Sequence, residues 1–552
     1  MAEQRVVAQS EWRWVLIAAL VALAIVNVPY LAGGSSERPE RVFGGCILLV
    51  DDCYSYLAKM RQGAEGAWLF HLAYTPEPHR GTLFFPFHLL LGKVAALLPG
   101  SDLTVRLVWV YHAARVIFGL GLLLTVYRFL AVCTERVAVR RLAWLIVTFG
   151  GGLGWLLSAF GQPNWLGSPP LDFYLPEGFA FLVLFGFPHL ALAQSLLLWG
   201  ILSLSKAWGT NTQSGTPDTQ HVTRNTQHEL RITHLKWAIL SGLLWLAMGL
   251  IVPFYVAVAW AVMGTAWVVL GLRKRQAALR EGGLAGVAVL VSAPIVAYNA
   301  WIFASDPVYA TWAAQNRILS PHPLHYLAAY GIPLVLAAFA VRSAWHEKGL
   351  GWLALAWVGV VPVLVYLPFN LQRRLVAGVQ VPLSLLAAWG AVQLGHSRRR
   401  WLAVALLATL LPTSLVLVTG SSAWMFARPP LIYRDASEIA ALDWLAGQVQ
   451  ADDVILTAYD TGNYLPVRVG AKVFLGHGLE TVEADQKESL VTHFFDAATD
   501  DAWRQQLLAQ YNVDYVFWGP AERALGGFDA GQAAYLRQVY DAEGYAVFKV
   551  ER

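Results

Sequence analysis

Along most of the chain the apolar positions form long unbroken runs rather than alternating or stepping at helical intervals. Runs of about 17 to 25 residues have the length at which a helix crosses the hydrocarbon of a bilayer. Such runs predict spans at 14–32, 104–127, 141–160, 178–205, 236–251, 253–271, 284–303, 323–341, 351–368, 375–395 and 401–419. Around Pro253, "LIVPFYV" reads either as a tight turn between two spans or as a kink in one long helix. The apolar segment 83–100, "LFFPFHLLLGKVAALLPG", is too short and interrupted to span, and is expected to lie in the interface or to re-enter. The glycine-rich "FGGGLGW", Phe149 to Trp155, falls inside a predicted span, where it reads as a close helix contact.

Two stretches break the pattern. Residues 207–235 are rich in Thr, Gln, Asn and His without periodicity, and read as a disordered connector. From about 430 the runs shorten to strand length, "DVILTAY" and "VDYVFWG", and interleave with the amphipathic helices "KESLVTHFF" and "AWRQQLLAQY". The end, "YLRQVYDAEGYAVFKV", reads as two strands joined by a turn at Glu543 and Gly544. The fold class expected is therefore an α-helical polytopic membrane protein of about eleven spans with a C-terminal α/β domain. Its expected segments are 1–32 (N-terminus and first span), 33–103 (a large loop with the acidic pair), 104–429 (the bundle) and 430–552 (the α/β domain).

Composition agrees: 57% of the 552 residues are hydrophobic and only 14% charged, a balance outside the globular range. The net charge of +4 gives no reason to expect a nucleic-acid partner. Its distribution says more. Arg13, Arg128, Arg136, Arg140, Arg141, Lys206, Arg231, Arg273, Arg275, Arg342 and Arg400 all fall on one side of the predicted spans, and basic loops mark the cytoplasm. The N-terminus is then cytoplasmic, the first segment an uncleaved span, and the C-terminal domain extracytoplasmic. The three cysteines, Cys46, Cys53 and Cys133, have no metal-ligand spacing and suggest no disulfide framework.

On that outward side stand the candidate chemical groups. Asp51 and Asp52 end an apolar run in "CILLVDDCYSYLAKMRQG", placed either as a general base and its neighbour or as first-turn helix charges. If the segment is helical, the two point about 100° apart and face different partners. Asp172 and Glu177 form a second acidic loop, "LDFYLPE", beside Phe173 and Tyr174. With Asp52 they are the donors for a divalent cation, Mg or Mn, if the chemistry needs one. Arg373 and Arg374, with Gln372, sit at an outward span mouth where basic residues are disfavoured, so an anion is expected there; guanidinium binds phosphate oxygens bidentately. Arg115 lies within a span, where a charge faces the bundle interior or a cavity. His79, Arg80 and His189 are further candidates, and His477 with Glu480 in "GHGLE" are weaker ones for an acceptor. No GxxxxGK[ST] and no GxGxxG after a strand offers a nucleotide cradle.

The acidic pair in a large first outward loop, the acidic second loop, "QRR" at a later outward span start and the trailing α/β domain together resemble the GT-C superfamily of polytopic glycosyltransferases. That superfamily includes protein O-mannosyltransferases and lipid A aminoarabinose transferases. "DDCYSYLAKMRQG", "YTPEPHRGTLFFPFHLLLGK", "FGFPHLALA", "QRRLVAGVQVPL" and "TGNYLPVRVGAKVFLGH" are similar to bacterial membrane proteins of this type. The resemblance implies transfer of a sugar from a polyprenyl-phosphate donor to a glycan, lipid or protein acceptor. Transfer would occur on the outer face of a bacterial plasma membrane, with inversion. It implies Asp51 or Asp52 as base and Arg373 and Arg374 on the donor phosphate. Here the acidic pair is adjacent rather than a spaced DxD. A lipid-linked sugar flippase, or a noncatalytic assembly protein of the same fold, are the competing readings; an internal repeat would favour transport, and none is visible.

Overall fold

The computed structural model describes residues 7–209, 224–346, 349–395 and 400–551, with backbone alone for 224–230. Among the described residues seven helices are long and apolar enough to cross a membrane: Gln9–Ser35, Leu103–Cys133, Pro188–Ala207, Arg231–Ile251, Phe254–Lys274, Leu279–Ser305 and Arg400–Ala427. The other predicted spans are shorter or broken helices, and the breaks have local causes. Helix Val137–Phe149 stops at the glycine run, which forms a loop before helix Gly154–Ala159 instead of packing two spans together. The run 178–205 divides into Ala180–Gly186 and Pro188–Ala207, because Pro188 cannot donate the hydrogen bond that would continue the first helix. At Pro253 the chain chooses two helices, Arg224–Ile251 and Phe254–Lys274. The expected connector 207–235 is shorter than predicted: residues 210–223 lie outside those described, but a helix is already under way at Arg224.

The chain divides into two compact units. The helical unit comprises Met1–Asn27, Ala114–Asn299 and Ile318–Gly420. Helix Gln380–Gly395, largely buried, packs against Val137–Phe149, Leu324–Ala338 and Gly351–Leu364.

The mixed unit comprises Val28–Ala113, Ala300–Arg317 and Ser421–Arg552. A short antiparallel pair, β1 (Arg41–Phe43) and β2 (Tyr433–Asp435), ties its first segment to its last. The remaining strands are β3 (Val454–Leu456), β4 (Lys472–Val473), β5 (Val513–Trp518), β6 (Leu536–Ala542) and β7 (Tyr545–Val550), in the order β4-β3-β5-β7-β6. β3 runs parallel to β4 and β5, while β7 is antiparallel to β5 and β6. The β6–β7 turn falls at Glu543 and Gly544, both at positive φ, as a tight two-residue hairpin requires. Against this α/β layer lies helix Val50–Ala64, which packs on helices Pro86–Ala96 and Tyr459–Arg468. Its crossing with Pro86–Ala96 is so close that a Cβ on Gly92 would come within 1.7 Å of the Met60 carbonyl oxygen. The apolar segment 83–100 thus supplies a partner helix for the one that carries the acidic pair.

Candidate active site

In the mixed unit, Asp51 and Asp52 occupy the first turn of helix Val50–Ala64, directly after Leu49, which caps the helix in the left-handed region at φ 46°. Neither aspartate is the cap. Their negative charge suits the helix N-terminus, and the 100° step turns them toward two different partners. Tyr459 Oη donates to Asp51 Oδ2 at 3.2 Å and accepts from the Gly478 amide at 3.1 Å. Because the amide can only donate, the phenol proton is directed at Asp51. Asp52 Oδ1 lies 3.2 Å from His477 Nε2. Tyr459 stands three residues beyond β3 and His477 four beyond β4, so both leave the carboxyl ends of parallel strands, where α/β sheets place their functional groups.

Below this pair the same helix face carries Ser55 and Lys59, at steps of three and four residues from Asp52. Lys59, 1% exposed, pairs with Glu480 Oε1 at 2.5 Å and also contacts Ser55 Oγ, which donates to Glu480. The ammonium stacks on Phe85, 4.4 Å from the ring centroid. The turn carrying His477 and Glu480 is held by Gln315 and Asn316, which reach the carbonyls of Thr481 and Leu479 at 2.6 and 2.9 Å. Burial raises the Asp51 pKa above the ordinary carboxylate value, against the Tyr459 hydrogen bond and the His477 charge. His477 is raised too: burial opposes its protonation, but Asp52 and Glu480 outweigh it. Burial and Asp51 push the Tyr459 pKa upward, so the phenol stays protonated. A disulfide closes the loop, joining Cys46 to Cys53 with Cα atoms 6.0 Å apart, and so corrects the reading that the cysteines suggest no disulfide framework. The positive φ of Gly45 and Leu49 curls the segment back on the helix start and brings the two together.

His79 and Arg80 belong to the same unit but serve its scaffold. His79 Nδ1 donates to the Glu77 carbonyl at 2.7 Å and Nε2 accepts from the Leu72 amide at 2.9 Å. These bonds fix its neutral tautomer. Arg80 bridges to Asp306 at 3.3 Å and to the Ser305 carbonyl at 2.8 Å, holding the entry to helix Pro307–Gln315.

In the helical unit, Gln372–Val376 is a 3₁₀ turn that brings Arg373 and Arg374 side by side. Arg373 stacks on the Tyr174 ring, 4.9 Å from its centroid, and donates to the Tyr174 hydroxyl at 3.3 Å. Arg374, 32% exposed, faces the buried Glu177 at 3.4 Å. Gln372 is a brace, accepting from the Ser320 amide and donating to the Leu367 carbonyl. Asp172 Oδ2 receives the Gly152 and Gly154 amides at 2.9 and 3.2 Å and the Thr413 hydroxyl at 2.7 Å, so it organises the glycine loop. Arg115, 1% exposed, donates to the carbonyls of Leu184 and Phe185 at 3.2 Å each and to Asn27 Oδ1 at 2.5 Å. The Leu184 carbonyl is the one that Pro188 cannot satisfy. His189, also buried, lies edge-on to Phe187.

Among the described residues no group of three His, Cys, Asp or Glu side chains is placed to hold a metal ion. Of the donors considered from the sequence, Asp52 belongs to the mixed unit, beside His477, while Asp172 and Glu177 belong to the helical unit, on the glycine loop and Arg374 respectively.

Comparison with known proteins places this geometry on a fold. No family model matches the chain, and no curated protein matches it by sequence. Solved structures do. The apo oligosaccharyltransferase of Archaeoglobus fulgidus is similar over 95% of this chain and 73% of its own, with TM-score 0.52 and 12% identity. The arabinofuranosyltransferase AftD from Mycobacteria matches 100% of this chain but only 40% of its own, with TM-score 0.55 and 14% identity. ArnT from Cupriavidus metallidurans, bound to undecaprenyl phosphate, aligns over 98% of both chains with TM-score 0.47 and 12% identity. The fold is GT-C-like, as the sequence resemblance leads one to expect, and the protein is membrane-integral.

Proposed function

We propose that this protein is a glycosyltransferase that moves a sugar from a polyprenyl-phosphate donor to an extracytoplasmic acceptor, with Asp51 as the general base. The observation that carries this reading is the Asp51–Tyr459 pair: a half-buried carboxylate of raised basicity, held at a helix N-terminus by a hydroxyl of fixed orientation. A base tuned in this way is what abstraction of a hydroxyl proton requires. In the proposed step the acceptor oxygen bonds to the anomeric carbon while the bond from that carbon to the phosphate oxygen breaks. The acceptor proton passes to Asp51, the anomeric centre inverts, and the lipid phosphate leaves with the electron pair. Arg373 and Arg374 are assigned to the donor phosphate, where they would stabilise the charge that develops as it leaves. Asp172 and Arg115 are assigned structural roles. The protein is expected in a bacterial plasma membrane with the C-terminal domain outside. A flippase would have no use for a tuned base, and this favours transfer over transport.

The test uses the full chain in nanodiscs with a panel of undecaprenyl-phosphate monosaccharides, following donor consumption in a membrane extract. Asp51→Asn should lower turnover by about 10²- to 10⁴-fold, the usual worth of a general base. Undiminished turnover in a variant that unfolds at the parent temperature would overturn the assignment.

A further inference from the structure

Tyr459 orients Asp51, and the phenol needs a support of its own, which comes from further along the C-terminal region. We infer that Glu522 is a positioning residue: set between the carboxyl ends of β3 and β5, it holds the start of helix Tyr459–Arg468 and through it the phenol that orients Asp51. This rests on the reading of Asp51 as the base in transfer and adds to it a role for the C-terminal sheet.

Glu522 lies on helix Pro520–Leu525, directly after β5, and is fully buried. The chain leaves β3 toward β4 and leaves β5 toward β6 and β7, so the exits of these two neighbouring parallel strands diverge. α/β sheets open a ligand crevice at such a point; here a side chain of the protein itself takes the place. Its two oxygens have different partners. Oε2 accepts from the Gly519 amide at 2.8 Å, three residues back, the local bond by which a glutamate caps the helix it belongs to. Oε1 is not needed for that cap. It accepts from the Ala458 amide at 2.9 Å, across 64 positions of sequence, and the Thr461 hydroxyl donates to the same carboxyl group. Ala458 is the cap of helix Tyr459–Arg468 and offers no side-chain oxygen to the helix start. Glu522 supplies one from the neighbouring strand exit. The Ala458 carbonyl is held as well, by the Thr457 hydroxyl at 3.0 Å and the Gly462 amide at 2.9 Å. Tyr459 follows directly, so its backbone is fixed through Glu522 and its hydroxyl by the Gly478 amide. A phenol held at both ends presents its proton to Asp51 from one direction. Burying a carboxyl group is costly, and packing alone would be served by an apolar side chain; the backbone that Glu522 holds is the reason for its chemistry.

Glu522→Gln separates the two oxygens. Glutamine keeps the local cap but turns its amide nitrogen toward the Ala458 amide, so that two donors face each other. In the full chain in nanodiscs, with the undecaprenyl-phosphate panel, Glu522→Gln and Tyr459→Phe should each lower kcat about tenfold, while KM for the donor stays at the parent value. Because both act through one phenol, the double variant should also be about tenfold slower than the parent, the non-additivity of coupled residues. Thr461→Val, which leaves both backbone amides held, should give the same pattern at smaller size and serves as the second variant should Glu522→Gln not fold. A double variant about a hundredfold slower, the product of the single losses, would overturn the positioning role. A Glu522→Gln chain that loses donor affinity along with kcat would overturn it too. The fluorine resonance of a fluorotyrosine placed at position 459 reads the same link without turnover, and should shift in Glu522→Gln. A shifted resonance beside undiminished turnover in Asp51→Asn would leave the positioning standing and remove the catalytic reading. An unshifted resonance would remove the positioning and leave the Asp51 assignment as it was.

Discussion

The mixed unit and the helical unit each gather charged side chains, and they hold them differently. Around Asp51 and Asp52 each ionic group meets a partner from a distant part of the chain: Asp52 meets His477, Lys59 meets Glu480, and Asp51 meets Tyr459. Lys59 and His477 are almost fully enclosed. Around Arg373 and Arg374 the contacts are longer and softer, an ion pair of 3.4 Å and a cation–π stack, and the guanidiniums stay partly open. The first arrangement fixes the position and basicity of one oxygen. The second leaves donors accessible to an incoming anion, at little stability cost if one is lost.

The largest effect that can break this contrast is Lys59→Met. It strands a buried Glu480, and breaking such a pair costs about 3–5 kcal/mol. Thermal unfolding should show a large loss, partly restored by the added Glu480→Gln. Arg374→Gln, with its exposed and longer pair, should cost under about 1 kcal/mol in the same assay; equal losses in the two variants would erase the distinction. Cys46→Ser should come next, removing a cross-link between residues seven apart for about 2–3 kcal/mol in the chain-entropy account. It also frees Leu49 from its left-handed turn, so turnover should fall while binding of undecaprenyl phosphate to the nanodisc-held chain stays at the parent level. Weakened binding would mean the disulfide supports more than the aspartates. Read on binding rather than on stability, Arg373→Gln is expected to weaken undecaprenyl phosphate binding about tenfold, roughly 1.4 kcal/mol, with its unfolding temperature unchanged. Unaltered affinity would take the phosphate role from this arginine.

Parts of both clusters are legible in the sequence. Asp51 and Asp52 stand out because two carboxylates end an apolar run, and Arg373 and Arg374 because they sit where the charge pattern disfavours them. Asp52, Ser55 and Lys59 also form a stripe on one helix face, a signal present in the spacing that goes unused until Glu480 is seen beneath it. Tyr459 carries no local mark. Its importance comes from lying past the end of β3 next to β4, and strand adjacency is not written in either segment alone. Asp172 and Arg115 are equally conspicuous in the sequence, yet in the structure they bind backbone left open by glycine and proline breaks. A buried charge signals an unmet need without saying whether the need is a ligand's or the chain's own.

By itself the sequence determined the membrane class, the helical bundle, the α/β character of the C-terminal region down to its last hairpin, and the chemical types of the candidate groups. These follow from local periodicity and composition, which act over one element at a time. Only the tertiary structure decided where the long apolar runs break, that Cys46 meets Cys53, and which aspartate faces a phenol and which an imidazole. Those outcomes depend on contacts between residues up to 425 positions apart, as for Asp52 and His477. The geometry of such a pair is set by the packing of strands and helices, a property that neither segment carries alone.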